Sequence, residues 1–299
     1  MDKLLPPWCV LIPCLNEEAA IRGVVESVLA LELPVLVVDD GSDDGTPEIL
    51  ASLPVTTLRH PQRLGKGEAL RHGFREALRR GYEAVLTMDG DGQHLASDIP
   101  SIVAAAAQYP GHLVIGARLL DKEQQPKARR RANAVADWGI SWACAQPIAD
   151  TQSGQRWYPR AALELADLPA QNFVFEAAIL ITASRDLGMG AVSVPIASRY
   201  PPNARPSHLR PVRDTLRITL FTIGRVFHYG HVLHSYLRGH DSPIIENAQD
   251  AKSSSVAFRP HLQHRATAVL GRLQVADRYQ ADHWTANHDK TRPKRGSGS

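Results

Sequence analysis

Short apolar runs alternate with amphipathic stretches along the first two hundred residues. Residues 9–13 form an apolar run of strand length, and 17–31 places Ile21, Val24, Val25, Val28 and Leu29 at helical spacing. The pair recurs at 35–38, a β-branched run followed by Thr46-Pro47-Glu48, which reads as a helix N-cap with proline in the first turn. It recurs again as 55–58 with 68–80, as 84–88 with 99–107, and as a fifth strand run at 113–115. Strand runs separated by helices predict an α/β protein with a Rossmann-like, mostly parallel sheet and helices on both faces. Ligands of such sheets bind beyond the C-terminal ends of the strands, so the residues there carry the functional reading.

Past the fifth run the pattern changes. Residues 119–131 are charged, with Gln, Pro and the run Arg129-Arg130-Arg131, and read as a loop leading into a helix through Trp138 and Trp142. Strands resume with Trp157-Tyr158, preceded by 150–156, and with 191–196, and a basic stretch at 205–213 precedes a helix predicted over 216–237. That helix has Leu216, Leu220, Ile223 and Phe227 on one stripe, but Arg217, Arg225, His228, His231 and His234 interrupt it, so no membrane span is read. Its stripe fits two roles: an interfacial helix at a membrane surface, or a helix packed on the main domain or on a second copy in a homo-oligomer. After about residue 240 the chain turns to Ser, Gln, Asp and His. The expected organisation is therefore an α/β domain at 1–204, a basic amphipathic helical segment at 205–240 and a weakly ordered tail at 241–299, with a short helix at 269–275.

Composition adds exclusions. With 43% hydrophobic and 22% charged residues, the chain is neither a polytopic membrane protein nor a disordered one. A net charge of +3, evenly spread, argues for no nucleic-acid partner. Cys9, Cys14 and Cys144 form neither a CxxC pair nor an even set, and the N-terminus carries no apolar signal core, so a cytoplasmic protein is expected.

Two acidic sites fall just past strand runs. Asp89 and Asp91, two residues apart and followed by Gln93, offer hard oxygen ligands suited to Mg²⁺ or Mn²⁺ bridging a diphosphate. An isolated pair of this kind is more often a solvated turn, but a second acidic site, Asp39-Asp40, lies at another strand end, with Gly41 and Gly45 beside it. Asp40 can accept from a nucleobase or ribose, or cap the Thr46 helix. Lys66, in Arg63-Leu64-Gly65-Lys66-Gly67, stands at a helix entry and can lend a cation to an anionic donor.

The segments 10–18 (VLIPCLNEE), 37–46 (VVDDGSDDGT), 88–94 (MDGDGQH) and 150–156 (DTQSGQR) together resemble the successive motifs of family 2 glycosyltransferases, particularly the branch of dolichyl-phosphate mannosyltransferase and polyprenyl-phosphate sugar transferases. The resemblance covers about residues 8–210. It implies a GT-A fold, a nucleoside-diphosphate sugar donor, a divalent metal and inversion at the anomeric carbon. It places the base-binding loop on Pro13 and Glu17, the nucleotide acid on Asp40 with Asp39 beside it, and the metal-diphosphate site on Asp89, Asp91 and Gln93.

For the acceptor, two chemistries stay open. A phosphate nucleophile is already ionised and needs arginines more than a base, and Arg118 and Arg131 resemble family positions that hold an acceptor phosphate. A hydroxyl acceptor needs a carboxylate to take its proton, for which Asp150 is the first choice and Glu176 another. The chain departs from the family at Gln155, where an aromatic residue is common, and in having no membrane-spanning helices after the main domain. The resulting expectation is a cytoplasmic, metal-dependent glycosyltransferase, peripheral on the inner face of the membrane, acting on a lipid phosphate or another lipid-like acceptor. The rivals are a hydroxyl-directed glycosyltransferase, a nucleotidyltransferase, and a catalytically silent nucleotide-sugar scaffold.

Overall fold

In a computed structural model, residues 7–121, 127–169, 174–197 and 211–246 are described. Seven strands form one sheet: β1 (Trp8–Cys14), β2 (Val35–Asp39), β3 (Thr56–Arg59), β4 (Ala84–Thr87), β5 (Leu113–Ala117), β6 (Arg156–Pro159) and β7 (Ala191–Pro195), in the order β3-β2-β1-β4-β6-β5-β7. Every residue of β2, β4 and β5 is buried, the pattern of strands covered on both faces by helices. Alternation along β1 divides the two layers. Val10 and Ile12 face a cluster with α1 (Ile21–Leu29) and α4 (Ile99–Gln108), including Val25, Val28, Ile99 and Ile102. Leu11 faces α3 (Lys66–Arg79) on the other side, so closely that a β-carbon at Gly73 would fall 2.5 Å from its methyl groups. A side chain there would have to push the Leu11 methyl groups aside.

The parallel core follows the sequence pattern, whereas β6 does not. It runs antiparallel between β4 and β5, pairing Arg156 with both Thr87 and Ile115. An antiparallel strand starts where its parallel neighbours end, so this one insertion carries the preceding loop, 150–155, to the C-terminal edge of the sheet.

Two local expectations change. Thr46 does not cap α2 (Thr46–Ala51): the N-cap is Gly45, Asp44 Oδ1 accepts the Thr46 N–H at 3.0 Å, and Thr46 Oγ1 accepts the Glu17 N–H at 2.8 Å. Its hydroxyl stitches two loops together instead. The helix expected over 216–237 is two helices, α8 (Pro211–Tyr229) and α9 (Val232–Gly239), because Gly230 (φ +64°) and His231 (φ +49°) take left-handed backbone angles between them. Both pack on α5 (Lys127–Cys144): Gly239 comes against the Ser141 carbonyl, and the Trp142 indole N–H donates to Val232 O at 3.0 Å. Arg185, at the end of α7 (Val174–Arg185), donates to Ser235 Oγ at 2.7 Å and lies over the Tyr229 ring.

The start of the expected tail joins the sheet edge. Ser193 exchanges backbone hydrogen bonds with Ile244 and Glu246, and Glu246 accepts from the Tyr109 hydroxyl at 3.1 Å. The rest of the tail, 247–299, lies outside the described residues, as do the basic residues 205–210 and the loop residues 122–126.

Candidate active site

Four loops meet at the C-terminal edge of the sheet. The loop after β1 and the loop after β2 are laced together: Asn16 N–H donates to Ser42 Oγ (2.8 Å), the Asn16 and Asp43 side chains and backbone bond reciprocally, and Glu18 Oε2 accepts Gly45 N–H (2.8 Å). Pro13 lies in the buried run of β1, one residue before its end at Cys14, and Glu17 sits half-buried on this seam. Asp39 and Asp40 lie beneath it, at 0% and 3% exposure. Asp39 Oδ1 accepts the Ser42 N–H and hydroxyl, and Oδ2 faces the Arg59 guanidinium at 3.2 Å. Asp40 accepts the N–H groups of Leu64 and Gly65 and bonds His60 Nδ1, each at 2.8 Å. Neither carboxylate caps α2. Both brace loops, and Gly41 (φ +78°) lies against the Gln62 and Arg63 backbone.

Past β4, Asp89 is the centre of the charge cluster. Lys66, the first residue of α3, places Nζ 2.7 Å from Asp89 Oδ1 and 3.5 Å from Oε1 of Glu176 on α7. Burial works against both charges, but their attraction outweighs it: Lys66 is held above the usual lysine range and Asp89 is brought down to about 2. On the other side of Asp89 stands His94, 4% exposed, Nδ1 3.9 Å from Oδ2, with no hydrogen-bond partner on either ring nitrogen; burial brings its pKa down to about 4. Gly154 closes the remaining side, where a β-carbon would fall 2.1 Å from Asp89 Oδ2. Asp91 and Gln93 follow in the same turn, Asp91 Oδ1 accepting the Gln93 N–H at 3.0 Å.

This donor set fits a small hard cation. Mg²⁺ and Mn²⁺ are satisfied by one or two carboxylates when substrate phosphates and water complete the shell. Among the described residues no group of three or more His, Cys, Asp or Glu converges on one point, so a cation held here would need phosphate oxygens or water to complete its shell.

The loop delivered by β6 builds the other half. Asp150, in a left-handed conformation (φ +52°), accepts from Arg118 three times: backbone N–H at 2.8 Å, Nε and Nη2 at 2.7 Å each. Both side chains are buried, and although burial disfavours the carboxylate, Arg118 outweighs it and holds the pKa below the usual range. Arg156, 2% exposed, fixes the loop from below by donating to Ser153 O, Thr151 O and the Tyr158 hydroxyl. Asp137 on α5 clamps it from above, accepting both the N–H and the hydroxyl of Thr151 at 2.7 Å; burial raises its pKa.

A cavity of about 210 Å³ opens beside this pair, lined among others by Arg118, Asp150 and, from α5, Arg130, Asn133 and Asp137. Arg131 is exposed and does not line it. The sequence reading missed Arg130, although Arg130, Asn133 and Asp137 stand at i, i+3 and i+7, one face of a helix. It gave no role to Arg156, although that residue closes the 150–156 motif, nor to His60, for which no sequence pattern gave a signal. Thus Asp89, Asp91, Gln93, Lys66 and Glu176 gather on one side, Arg118 and Asp150 on the other, and Arg131 stands apart.

Comparison with known proteins agrees with this architecture. The family described as glycosyl transferase family 2 matches residues 9–165. A UDP-N-acetylglucosamine–dolichyl-phosphate N-acetylglucosaminyltransferase of Methanococcus voltae is 27% identical over 67% of this chain and 87% of its own. A polyprenol monophosphomannose synthase of Mycolicibacterium smegmatis is 30% identical over 62% of this chain and 75% of its own. Among solved structures, the glucosyl-3-phosphoglycerate synthase of Mycobacterium tuberculosis, in complex with Mn²⁺, UDP and phosphoglyceric acid, superposes with a TM-score of 0.55 at 23% identity, over 74% of this chain and 78% of its own. The fold is that of the GT-A glycosyltransferases, and with more than half its length matched, the chain belongs to glycosyl transferase family 2.

Proposed function

We propose that this family 2 glycosyltransferase takes its sugar from a nucleoside-diphosphate donor held with Mg²⁺ or Mn²⁺ and passes it, with inversion, to the phosphate of a polyprenyl lipid. The observation that carries the acceptor class is the Arg118–Asp150 pair. A hydroxyl acceptor needs a base; the first choice, Asp150, spends its oxygens on a buried guanidinium that keeps it a weak one, and the other, Glu176, faces the Lys66 ammonium at 3.5 Å. A phosphate arrives ionised and needs cations, which Arg118 and Arg130 supply at the cavity. The names of the archaeal and mycobacterial relatives support the same acceptor class.

In this reading Asp89, Asp91 and Gln93 hold the cation, which neutralises charge on the departing diphosphate when bound. Pro13 and Glu17 frame the base, while Asp39 and Asp40 keep the framing loops in place. Lys66 faces the diphosphate, and Arg118 and Arg130 hold the acceptor phosphate in line with the anomeric carbon.

The test is calorimetric titration with a panel of nucleotide sugars in the presence of Mn²⁺. Asp91→Ala is expected to weaken donor binding by about tenfold or more, the loss of a charge-assisted contact, with the melting temperature unchanged. Equal binding by wild type and variant would sink the assignment.

A lipid acceptor also requires a position at the membrane. No described helix is long and apolar enough to cross one. Instead Phe227 on α8 and Leu233 on α9 are 68% and 71% exposed, and Leu220, Leu237 and Trp138 stand in solvent near them in sequence or packing, with arginines interspersed. We read these faces as resting on lipid. Wild type should co-sediment with vesicles containing anionic lipid, and Phe227→Asp with Leu233→Asp should not; unchanged sedimentation of that pair would exclude these helices as the contact.

A further inference from the structure

We infer that Lys66 is a built-in counter-cation that occupies Asp89 until the donor arrives, and that Glu176 is the carboxylate to which it then withdraws. The inference rests on the metal reading above and adds an order of events to it. Lys66 enters α3 directly after Gly65, whose φ of +104° is one that side chains resist, so the chain is turned to aim this lysine at the strand end. Its ammonium sits on Asp89 Oδ1 at 2.7 Å and within 3.5 Å of Glu176 Oε1. An ammonium at hydrogen-bond distance neutralises this carboxylate and repels a divalent cation that approaches the same group. Asp89 is wedged between Gly154 and His94, so it has little room to turn away and serve both.

The three groups are unequal in mobility. Asp89 follows a buried strand and Glu176 lies in the first turn of α7, both on fixed backbone. Lysine carries its charge on a flexible four-carbon stem with three donors, so it is the member that moves. A second acceptor within reach keeps the charge paired while it does so. This matters because side chains here are only 14–27% exposed, and an unpaired charge in such a place is costly. An incoming diphosphate draws the ammonium off Asp89 by its own negative charge and frees the carboxylate for the divalent ion. Metal and donor then bind with positive coupling beyond their direct contact, and the empty enzyme keeps its metal affinity low.

The experiment measures Mn²⁺ binding, by titration followed with electron paramagnetic resonance, to wild type, Lys66→Met, Glu176→Gln and the double variant, without nucleotide and with UDP. Melting temperatures of all four verify that each is folded. Lys66→Met is expected to bind Mn²⁺ alone roughly three- to tenfold more tightly than wild type, the worth of a partly exposed charge-assisted contact. Glu176→Gln is expected to bind it more weakly, since Lys66 has lost its alternative. The double variant should match Lys66→Met, because Glu176 acts through the lysine. In a merely through-space field, Glu176→Gln would weaken Mn²⁺ binding in both backgrounds, and this additive result would overturn the inference. Unchanged or weaker Mn²⁺ binding by Lys66→Met would overturn it too. The factor by which UDP tightens Mn²⁺ should shrink in Lys66→Met. Absence of Mn²⁺ binding by every protein, with or without UDP, would instead overturn the metal reading itself and the inference with it.

Discussion

Arg118→Ala should destabilise the protein by about 3–5 kcal/mol, because it leaves the Asp150 carboxylate buried without its counter-charge. Asp150 is 8% exposed, and the variant keeps the Arg118 backbone N–H but removes the two guanidinium hydrogen bonds and the only charge that pairs with this carboxylate among the described ion pairs. Urea unfolding of wild type and variant measures the loss, and a change below 1 kcal/mol would show that water reaches the carboxylate. Removing both charges at once, Arg118→Met with Asp150→Asn, should recover most of the stability, since asparagine tolerates the left-handed backbone at this position, its amide oxygen can still accept the Arg118 N–H, and no unpaired charge stays buried. It should not recover transfer. This double variant therefore separates the two roles of Arg118: bracing the 150–155 loop, which any well-packed pair can do, and offering cationic edge to the cavity, which only the guanidinium can.

The acid pairs at strand ends were legible because position alone selects them: in a doubly wound sheet, residues just past β2 and β4 must face the crevice. Their partners were not legible. Asp40 meets Leu64 and Gly65, 24 and 25 positions away, and which loop folds over which acid is decided by tertiary packing. The same limit hid the direction of β6 and its place in the sheet, though not the strand at Trp157-Tyr158 itself. Parallel strands buried on both faces read as apolar runs, but β6 is Arg-Trp-Tyr-Pro, with a guanidinium that is buried only because Ser153, Thr151 and Tyr158 are brought around it. Its antiparallel direction, invisible in a four-residue segment, is what carries Asp150 to Arg118 and Gly154 to Asp89. Half of the site thus depends on one strand whose sequence announces neither its burial nor its direction.

The arginine run shows the opposite case, a signal present but read without its phase. Residues 127–144 form a single helix, so adjacent arginines point about 100° apart and cannot share a ligand equally. Arg130 leads a face that continues through Asn133 and Asp137 into the cavity, whereas Arg131 leads one that continues through the exposed Val135 and Trp138. Arg130→Ala should therefore lower transfer to polyprenyl phosphate by about ten- to a hundredfold, the worth of a charge-assisted phosphate contact of ~1.5–3 kcal/mol, while Arg131→Ala changes it by less than about threefold. Neither should alter the binding of UDP with Mn²⁺, because the charged groups that act on Asp89 are Lys66, His94 and Arg118. Initial rates against polyprenyl phosphate at saturating donor, with a parallel nucleotide titration, decide among the arrangements. A large effect confined to Arg131 would put the acceptor on the outer face of α5, over Trp138, and equal losses of donor binding and transfer in Arg130→Ala would move that arginine to the donor diphosphate.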